Sequence, residues 1–194
     1  MNIIQLTHSL DLKTGGVAKA VVDLENEFLR IGISSRVFYQ ESPDRLLSKF
    51  ECELFVVHGL WQWPGIVALR QNRLRGVPYI VYTHGMLDPW FKQAYPLKHI
   101  KKQLYWWWKQ YTILKNATAV CFTTEEERIL ARKTFWPYNF KEKVTGLGIN
   151  EPSTNEIEQI NLFHKKFPVI KKKKCLLYMG RIHPKKGLEL LLSS

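Results

Sequence analysis

Short apolar runs alternate along this chain with segments whose apolar residues recur every three or four positions. Runs of the first kind are typical of strands buried on both faces, and segments of the second kind are typical of helices with one buried side. The alternation predicts an α/β fold built on a doubly wound parallel sheet. The predicted strands are Ile3–Leu6, Arg36–Tyr39, Leu54–Val57, Tyr79–Tyr82, Ala119–Phe122 and Cys175–Met179.

The helical segments follow these strands, and several have recognisable ends. Glycine is favoured just after a helix and proline just inside its start, while Ser or Thr followed by acidic residues is typical of a helix beginning. These signals predict helices from Val17 to before Gly32, from Pro64 to Arg75, from Glu125 onward, from Gly187 to Leu192, and one long helix over 96–115.

The same pattern divides the chain into three parts. Residues 1–150 are predicted to form a Rossmann-like N-terminal domain, and a polar stretch predicts a linker over 151–172. Residues 173–194 restart the alternation with one strand and one helix. They are therefore predicted to be the first βα unit of an incomplete second domain.

The composition is that of an ordinary globular protein, with 45% hydrophobic and 24% charged residues among 194. Cys52, Cys121 and Cys175 lie far apart without zinc-ligand spacing, which indicates reduced thiols in a cytosolic protein. The N-terminus has neither the basic nor the long apolar region of a signal peptide. These features predict a cytoplasmic protein, peripheral to the inner face of the cytoplasmic membrane if it binds one.

The charge is unevenly distributed. Residues 1–90 hold 9 Lys and Arg against 9 Asp and Glu, whereas residues 91–194 hold 20 against 8, so the whole net charge of +12 lies in the second part. Such asymmetry favours a polyanionic partner, although a solvated basic surface is the plain alternative. A nucleic-acid partner is disfavoured, because there is no helix-turn-helix pattern, zinc module or RNA-binding aromatic signature.

Candidate ligand-binding residues lie where predicted strands end, which is where α/β folds bind ligands. They are His8, Gly15, Gly16, His58, His84 and Arg181. Each has a plain structural alternative: a tight turn for the glycines, a buried hydrogen-bonded residue for a histidine, and surface charge for the arginine. The histidines lack metal-ligand spacing, so no metal site is predicted.

Three motifs, taken in order, resemble those of the GT-B-fold glycosyltransferases of family 4 (glycosyltransferase group 1). They are Gly15-Gly16-Val17 after the first strand, Thr83-His84-Gly85, and Gly-Arg-x-x-x-x-Lys-Gly over 180–187. The segment over 84–90 is similar to members that assemble bacterial surface polysaccharides. The resemblance covers the whole chain, and the order of the motifs is more specific than any one of them.

The resemblance implies retaining transfer of a sugar from a nucleotide-sugar, usually without a metal or other cofactor. By this likeness Gly15 and Gly16 face the donor diphosphate, and His84 contacts the donor sugar near the reacting carbon. Arg181 and Lys186 would neutralise the leaving diphosphate, where negative charge develops as the glycosidic bond breaks.

The expected partner on the other side of the reaction is a saccharide, or a lipid-linked saccharide. His8, His58 and Trp61 are predicted to line the acceptor cleft. Two departures from the family pattern accompany this. Residues 145–148 replace the usual Pro-Asn-Gly turn, and the family's pair of donor-binding glutamates is not found in the sequence. The second departure predicts a truncated fragment that transfers no sugar by itself.

The long predicted helix combines basic and aromatic residues on one side. At about 100° per residue, the apolar stripe that includes Leu97, Trp107 and Trp108 should pack on the sheet. The opposite side should then rest on an anionic membrane surface. That side holds Lys98, Lys102, Tyr105, Trp106 and Lys109. Two alternatives stay open: Trp106 packs under the loop over 85–95, and the whole protein is a non-catalytic membrane-surface or assembly module.

Overall fold

The fold is that of a computed structural model. The structure describes residues 1–11, 13, 16–39, 47, 49–148, 155–170 and 173–193. The chain divides into two compact units, Met1–Ile149 and Asn150–Ser194, and each is described by itself. Two sequence predictions lie wholly or partly outside the described residues: the role of Gly15, and the linker over 151–172.

A parallel sheet forms the centre of the first unit. Its six strands within the described residues follow the order β2-β1-β3-β4-β5-β6, and every neighbouring pair runs parallel. This confirms the predicted doubly wound α/β class. The strands are β1 (Asn2–Leu6), β2 (Ser34–Phe38), β3 (Leu54–His58), β4 (Tyr79–Tyr82), β5 (Ala119–Phe122) and β6 (Glu142–Val144).

Helices cover the sheet on both faces, since four consecutive residues are buried in β1 and again in β3. The helices of this unit are α1 (Gly16–Arg30), α2 (Trp63–Arg75), α3 (Trp90–Ala94), α4 (Pro96–Tyr105), α5 (Tyr111–Asn116) and α6 (Glu125–Ala131). Between α4 and α5 the chain forms a π-helical turn, Trp106–Gln110. The core includes Ile4, Leu6, Phe55, Val57, Tyr79, Val81, Trp106, Ile113, Leu114, Val120 and Phe122.

Local sequence signals account for the ends of several helices. Gly32 has a φ of +75°, and the backbone nitrogen of Ile33 reaches back to the carbonyl of Phe28, which closes α1. Gly76 closes α2 in the same left-handed conformation. At the start of α6, the side chain of Thr124 accepts a hydrogen bond from the backbone nitrogen of Glu127.

The region after β4 departs from its sequence prediction in two ways. The predicted loop before Tyr95 contains the short helix α3. The predicted single helix over 96–115 is interrupted by the π turn, in which the backbone nitrogen of Tyr111 bonds to the carbonyl of Trp106, five residues earlier. A π turn inserts an extra residue into the helical repeat, so side chains beyond it no longer follow a spacing of 100°.

The second unit contains α7 (Glu156–Lys166), a 3-10 turn over Pro168–Ile170, a second one over Pro184–Lys186, and α8 (Leu188–Ser193). The predicted strand Cys175–Met179 is wrong, because these residues form no strand and Leu176 and Met179 are almost fully exposed. A strand is held by ladder hydrogen bonds to a neighbouring strand, and the described residues of this unit provide none. The predicted helix that follows it is present as α8.

Candidate functional site

Polar side chains collect where β1, β3 and β4 end. The strand order reverses beside β1, because β2 lies on one side of it and β3 on the other. In α/β folds, ligands bind at such a switch point, beyond the carboxyl ends of the strands. Gln5 on β1, His58 at the end of β3 and His84 just after β4 meet at this edge.

These three side chains form a hydrogen-bonded row. The side-chain oxygen of Gln5 lies 3.0 Å from Nε2 of His58, and Nδ1 of His58 lies 3.1 Å from Nε2 of His84. The ring of His58 also stacks on Tyr82, with centroids 5.6 Å apart. The side chain of Gln5 continues the row outward, because its amide nitrogen donates to the carboxylate of Glu25 over 2.7 Å.

The structure corrects the predicted acceptor contact of His58. This residue is only 2% exposed, and both of its ring nitrogens already face protein side chains. His58 is therefore a buried hydrogen-bond partner of His84 and does not line a cleft. His84 is the half-buried member of the pair, and its Nδ1 makes no hydrogen bond with any part of the chain that the structure describes.

The turn that carries His84 is fixed by Glu127 of α6. His84 and Gly85 have φ values of +48° and +71°, in the left-handed region that a residue other than glycine rarely adopts. One carboxylate oxygen of Glu127 accepts hydrogen bonds from the Thr83 hydroxyl (2.5 Å) and the Gly85 backbone nitrogen (2.7 Å). The other oxygen accepts from the backbone nitrogen and hydroxyl of Thr123. One carboxylate thus ties the end of β4 to the end of β5.

Burial decides the protonation of this site. It lowers the pKa of His84 to about 4, against a weaker opposing attraction from Glu127. Burial likewise lowers the pKa of His58 to about 3, and proximity to His84 adds to the effect. Both imidazoles are therefore neutral near pH 7. For Glu127, burial opposes ionisation, but its hydrogen bonds outweigh that effect and hold the carboxyl pKa below its usual value.

Trp61 lies beyond the end of β3 in a strained conformation. Its φ is +72°, and its backbone nitrogen donates to the side-chain oxygen of Gln110 over 2.9 Å. The indole ring contacts Phe135, with centroids 5.1 Å apart, and the ammonium of Lys102 lies 4.8 Å from the ring centroid. The indole nitrogen is buried without a hydrogen-bond partner among the described residues. Strain and unsatisfied polar atoms of this kind are concentrated at functional sites.

A small cavity of about 70 Å³ opens beside the His84 turn. Aromatic rings and the methionine after that turn form its apolar wall, and two lysines and one aspartate are its charged lining residues. An apolar wall with a few charged groups is the usual make-up of a small-molecule site. The lining residues are Met86, Asp88, Phe91, Tyr95, Lys98, His99, Lys102, Thr134 and Phe135.

The other predicted site residues are dispersed. Gly16 begins α1, and a side chain added there would meet none of the described residues within 4 Å. His8 is exposed just after β1. Arg181 and Lys186 are exposed in the second unit, on either side of the His183 side chain that accepts a hydrogen bond from the Lys185 backbone. Their roles toward a diphosphate stay predictions.

The predicted membrane face of the long helix is wrong for Trp106. This side chain has no exposed surface, stacks on Phe135 with centroids 4.8 Å apart, and donates its indole hydrogen to the carbonyl of Pro137. Trp106 therefore belongs to the core, as the alternative interpretation of a packed Trp106 predicted. The ring stacked on it is that of Phe135, which lies outside the loop over 85–95. Lys102 and Tyr105 are half-buried around Trp61 on the same inward side.

Most of the stripe that was expected to pack on the sheet is exposed, although its last members, Tyr111 and Leu114, do pack on the core. Leu97 is 76% exposed and Trp108 is 75% exposed. On the inward side, Trp106 packs between the aromatic rings of Trp61 and Phe135. Lys98 remains exposed, and the ammonium of Lys109 lies over the ring of Trp108. None of the described helices is long and apolar enough to cross a membrane.

The sequence interpretation missed three residues that organise the site. Gln5 stands alone as a polar residue in the apolar run of β1, which was a usable signal. Glu127 was noted only as one of three acids at a helix start. Gln110 gave no signal, because its role depends on the π turn that brings it to Trp61.

Comparison with known protein families agrees with this geometry. The glycosyl transferase 4-like domain family matches residues 15–139, which include β3, β4 and the His84 turn. No curated protein matches the chain. The parallel α/β sheet of the first unit is consistent with a domain of this family. The chain belongs to the glycosyl transferase 4-like family.

Proposed function

We propose that this chain takes part in retaining transfer of a sugar from a nucleotide-sugar to a saccharide acceptor, with His84 contacting the donor sugar. The observation that carries this proposal is the state of His84. Its ring is neutral and half-buried, one nitrogen is held by His58, and the other is left for a ligand. Membership of the glycosyl transferase 4-like family supports the class of reaction.

A neutral imidazole suits a sugar ligand. Its unprotonated nitrogen accepts a hydrogen bond from a hydroxyl group, and its burial excludes the charge that would instead attract anions. The fixed turn keeps the ring in place, because Glu127 bonds to the residues on both sides of His84. A positioned group of this kind lowers the barrier by orienting the reacting sugar.

The cavity beside the turn supports an acceptor that carries negative charge. The aromatic rings of Phe91 and Phe135 suit the apolar face of part of a sugar, since the cavity holds only about 70 Å³. The ammonium groups of Lys98 and Lys102 outnumber the carboxylate of Asp88 and so favour a phosphate or carboxylate. A saccharide linked to lipid through phosphate has both features. This supports a lipid-linked acceptor and, with it, a place in the synthesis of bacterial surface polysaccharide.

The experiment is turnover of a panel of nucleotide-sugars, read as released nucleoside diphosphate, by this chain and by an extended version of it. We expect turnover from the extended version only, because the pair of donor-binding glutamates that the family likeness implies is not found in the sequence. His84→Ala should lower turnover on the order of a hundredfold, and His164→Ala, on α7, should leave it unchanged. Equal rates in the two variants would contradict the assignment of His84.

A second candidate function is attachment to an anionic membrane surface, and the exposed side of the long helix favours it. We call this side the outer stripe. It consists of Leu97, Ile100, Leu104, Trp107 and Trp108, all more than half exposed. The segment over 90–116 also contains six lysines and no acidic residue. Apolar and aromatic side chains beside lysines match the interface of an anionic bilayer.

The strength of such attachment is modest. Each lysine near an anionic surface contributes about 1 kcal/mol, so a few lysines together with two tryptophans support reversible binding. Attachment of this kind would bring the site to a lipid-linked acceptor. The same attachment would also suit a non-catalytic module that assembles at the membrane. The panel of nucleotide-sugars distinguishes the enzyme, which turns them over, from such a module, which does not.

A further inference from the structure

A row of three hydrogen bonds connects the surface helix α1 to His84. It starts at the carboxylate of Glu25, which lies 2.7 Å from the amide nitrogen of Gln5. It continues from the Gln5 oxygen to Nε2 of His58 over 3.0 Å, and from Nδ1 of His58 to Nε2 of His84 over 3.1 Å. Gln5 and His58 are buried, so solvent does not compete for these contacts.

The first contact gives the row a direction. A carboxylate can only accept hydrogen bonds, so the amide nitrogen of Gln5 must face Glu25. The hydroxyl oxygen of Ser35, 3.3 Å from the same amide nitrogen, accepts from it as well. The amide oxygen of Gln5 therefore faces His58, and an oxygen in that position can only accept.

The direction passes through both imidazoles. Because the Gln5 oxygen accepts, Nε2 of His58 carries the hydrogen and Nδ1 of His58 is unprotonated. That nitrogen can only accept, so Nε2 of His84 carries its hydrogen and Nδ1 of His84 keeps the lone pair. Both rings are neutral near pH 7, because burial lowers the pKa of His58 to about 3 and that of His84 to about 4.

We propose that Glu25, Gln5 and His58 are positioning residues that hold His84 as its Nε2–H tautomer and present Nδ1 as an acceptor to a ligand hydroxyl. The inference rests on the proposed function only for the identity of that ligand, a sugar. It adds that the group bound at His84 is a hydrogen-bond donor, and it assigns the control of His84 to a carboxylate on α1, two side chains away.

The test is to reverse the charge at the start of the row. Glu25→Lys puts a donor where the carboxylate was, so the amide of Gln5 should turn its oxygen outward and its nitrogen toward His58. Each imidazole must then exchange donor for acceptor, and His84 should change to its Nδ1–H form. Long-range nitrogen–proton correlation spectra of the histidine-labelled protein report the tautomer of each ring directly.

We expect the share of Nδ1–H at His84 to rise at least about fivefold in Glu25→Lys, as the loss of one oriented hydrogen bond implies. Glu25→Ala, which frees the amide to turn, should give a smaller rise and serves if the charge reversal disturbs folding. The matched control is Glu27→Lys, since Glu27 lies on the same helix and pairs with Arg30 outside the row. An unchanged His84 tautomer in a folded Glu25 variant would overturn the proposal.

The tautomer spectra test the positioning row, and sugar binding tests the role of His84, so each proposal can be contradicted without the other. If Glu25→Lys changes the tautomer but sugar affinity is unaltered, the row is real and His84 does not bind the sugar. If the tautomer changes and affinity falls about tenfold, both proposals hold. If the tautomer is unchanged while His84→Ala abolishes sugar binding, His84 keeps its role and the positioning row is wrong.

Discussion

The side-chain oxygen of Gln110 accepts a hydrogen bond from the backbone nitrogen of Trp61 over 2.9 Å. The contact joins a π turn to a tryptophan in the left-handed region, two features that recur at functional sites. Gln110 is 2% exposed, so its amide is committed to this contact and not to solvent. The π turn thus holds Trp61, and with it the ring over which Lys102 lies, beside the cavity.

Replacing Gln110 should therefore destabilise the first unit. In Gln110→Ala the part-buried backbone nitrogen of Trp61 loses its partner, and we expect the free energy of unfolding to fall by about 1–3 kcal/mol. Urea denaturation followed by tryptophan fluorescence measures this change. Gln93→Ala, on the exposed surface of α3, is the control and should stay within about 0.5 kcal/mol of the parent. Equal stability of the two variants would count against the contact.

Glu127 should be needed to hold the His84 turn. Glu127→Gln keeps the shape of the side chain but replaces one accepting oxygen by a donor, which cannot accept from the backbone nitrogens of Gly85 and Thr123 together. We expect a loss of about 1.5–3 kcal/mol in the free energy of unfolding. Glu126→Gln makes the same chemical change at the exposed neighbouring position and should have little effect. A Glu127→Gln protein as stable as this control would show that the turn is held by other contacts.

Mild acid should destabilise the folded chain. The pKa values of His58 and His84 lie near 3 and 4 in the folded state and rise to about 6.5 on unfolding. The unfolded state therefore binds more protons in this window, so stability is complete above about pH 6.5 and is lost as the pH falls. Each histidine contributes up to about 1.4 kcal/mol per pH unit.

Thermal denaturation between pH 7 and pH 5 checks this slope, since the carboxylates add to it mainly at lower pH. His84→Asn removes one of the two groups and should make the melting temperature less dependent on pH. His164→Asn, in the second unit, should leave the dependence unaltered. A melting temperature of the parent protein that stays constant over this range would refute the claim that His58 and His84 are neutral in the folded state.

Replacing Trp106 and replacing Trp108 should have different effects, the first on stability and the second on membrane attachment. Trp106→Ala removes a core side chain, and we expect a loss of about 3–5 kcal/mol in the free energy of unfolding. Trp108→Ala removes an exposed one and should leave stability nearly unchanged, yet lower co-sedimentation with anionic lipid vesicles. Binding should also weaken with salt and be absent with zwitterionic vesicles.

The control for vesicle binding is Leu74→Ala, an exposed apolar residue at the end of α2 and outside the outer stripe. It should bind vesicles as the parent does. If Trp108→Ala sediments with anionic vesicles to the same extent as Leu74→Ala, the outer stripe is not a membrane surface.

Much of the sheet could be predicted from the sequence, because buried parallel strands are short apolar runs and their ends are marked by glycine, proline and histidine. Tyr79–Tyr82 and Ala119–Phe122 coincide with their predicted bounds. The strand over 175–179 shows the limit of this reasoning: an apolar run indicates the capacity to pair, and pairing needs a neighbour. The position of His84 after a strand end could likewise be predicted, and the structure brings it beside His58 at the switch point, while its contact with a sugar stays a prediction.

The rest depends on contacts that no local pattern contains. A stripe calculated at constant angle put Trp106 outside and Trp108 inside, whereas Trp106 packs on Phe135 in the core. The π turn at Trp106–Gln110 then changes the spacing of the residues that follow it. The contacts of Gln5 with Glu25 and His58 join positions 20 and 53 residues apart. Only the tertiary structure brings these side chains together, and with them the control of the His84 ring.

The most direct test of the account is titration of the nitrogen-labelled protein with nucleotide-sugars while the ring nitrogens of each histidine are followed. We expect Nδ1 of His84 to shift with saturation for one class of sugar, because a hydroxyl hydrogen bonds to its lone pair. The Nε2 signal of buried His58 should stay nearly fixed, and His84→Ala should weaken sugar binding by about tenfold. Binding that leaves both nitrogens of His84 unchanged, or that survives undiminished in His84→Ala, would contradict the central claim.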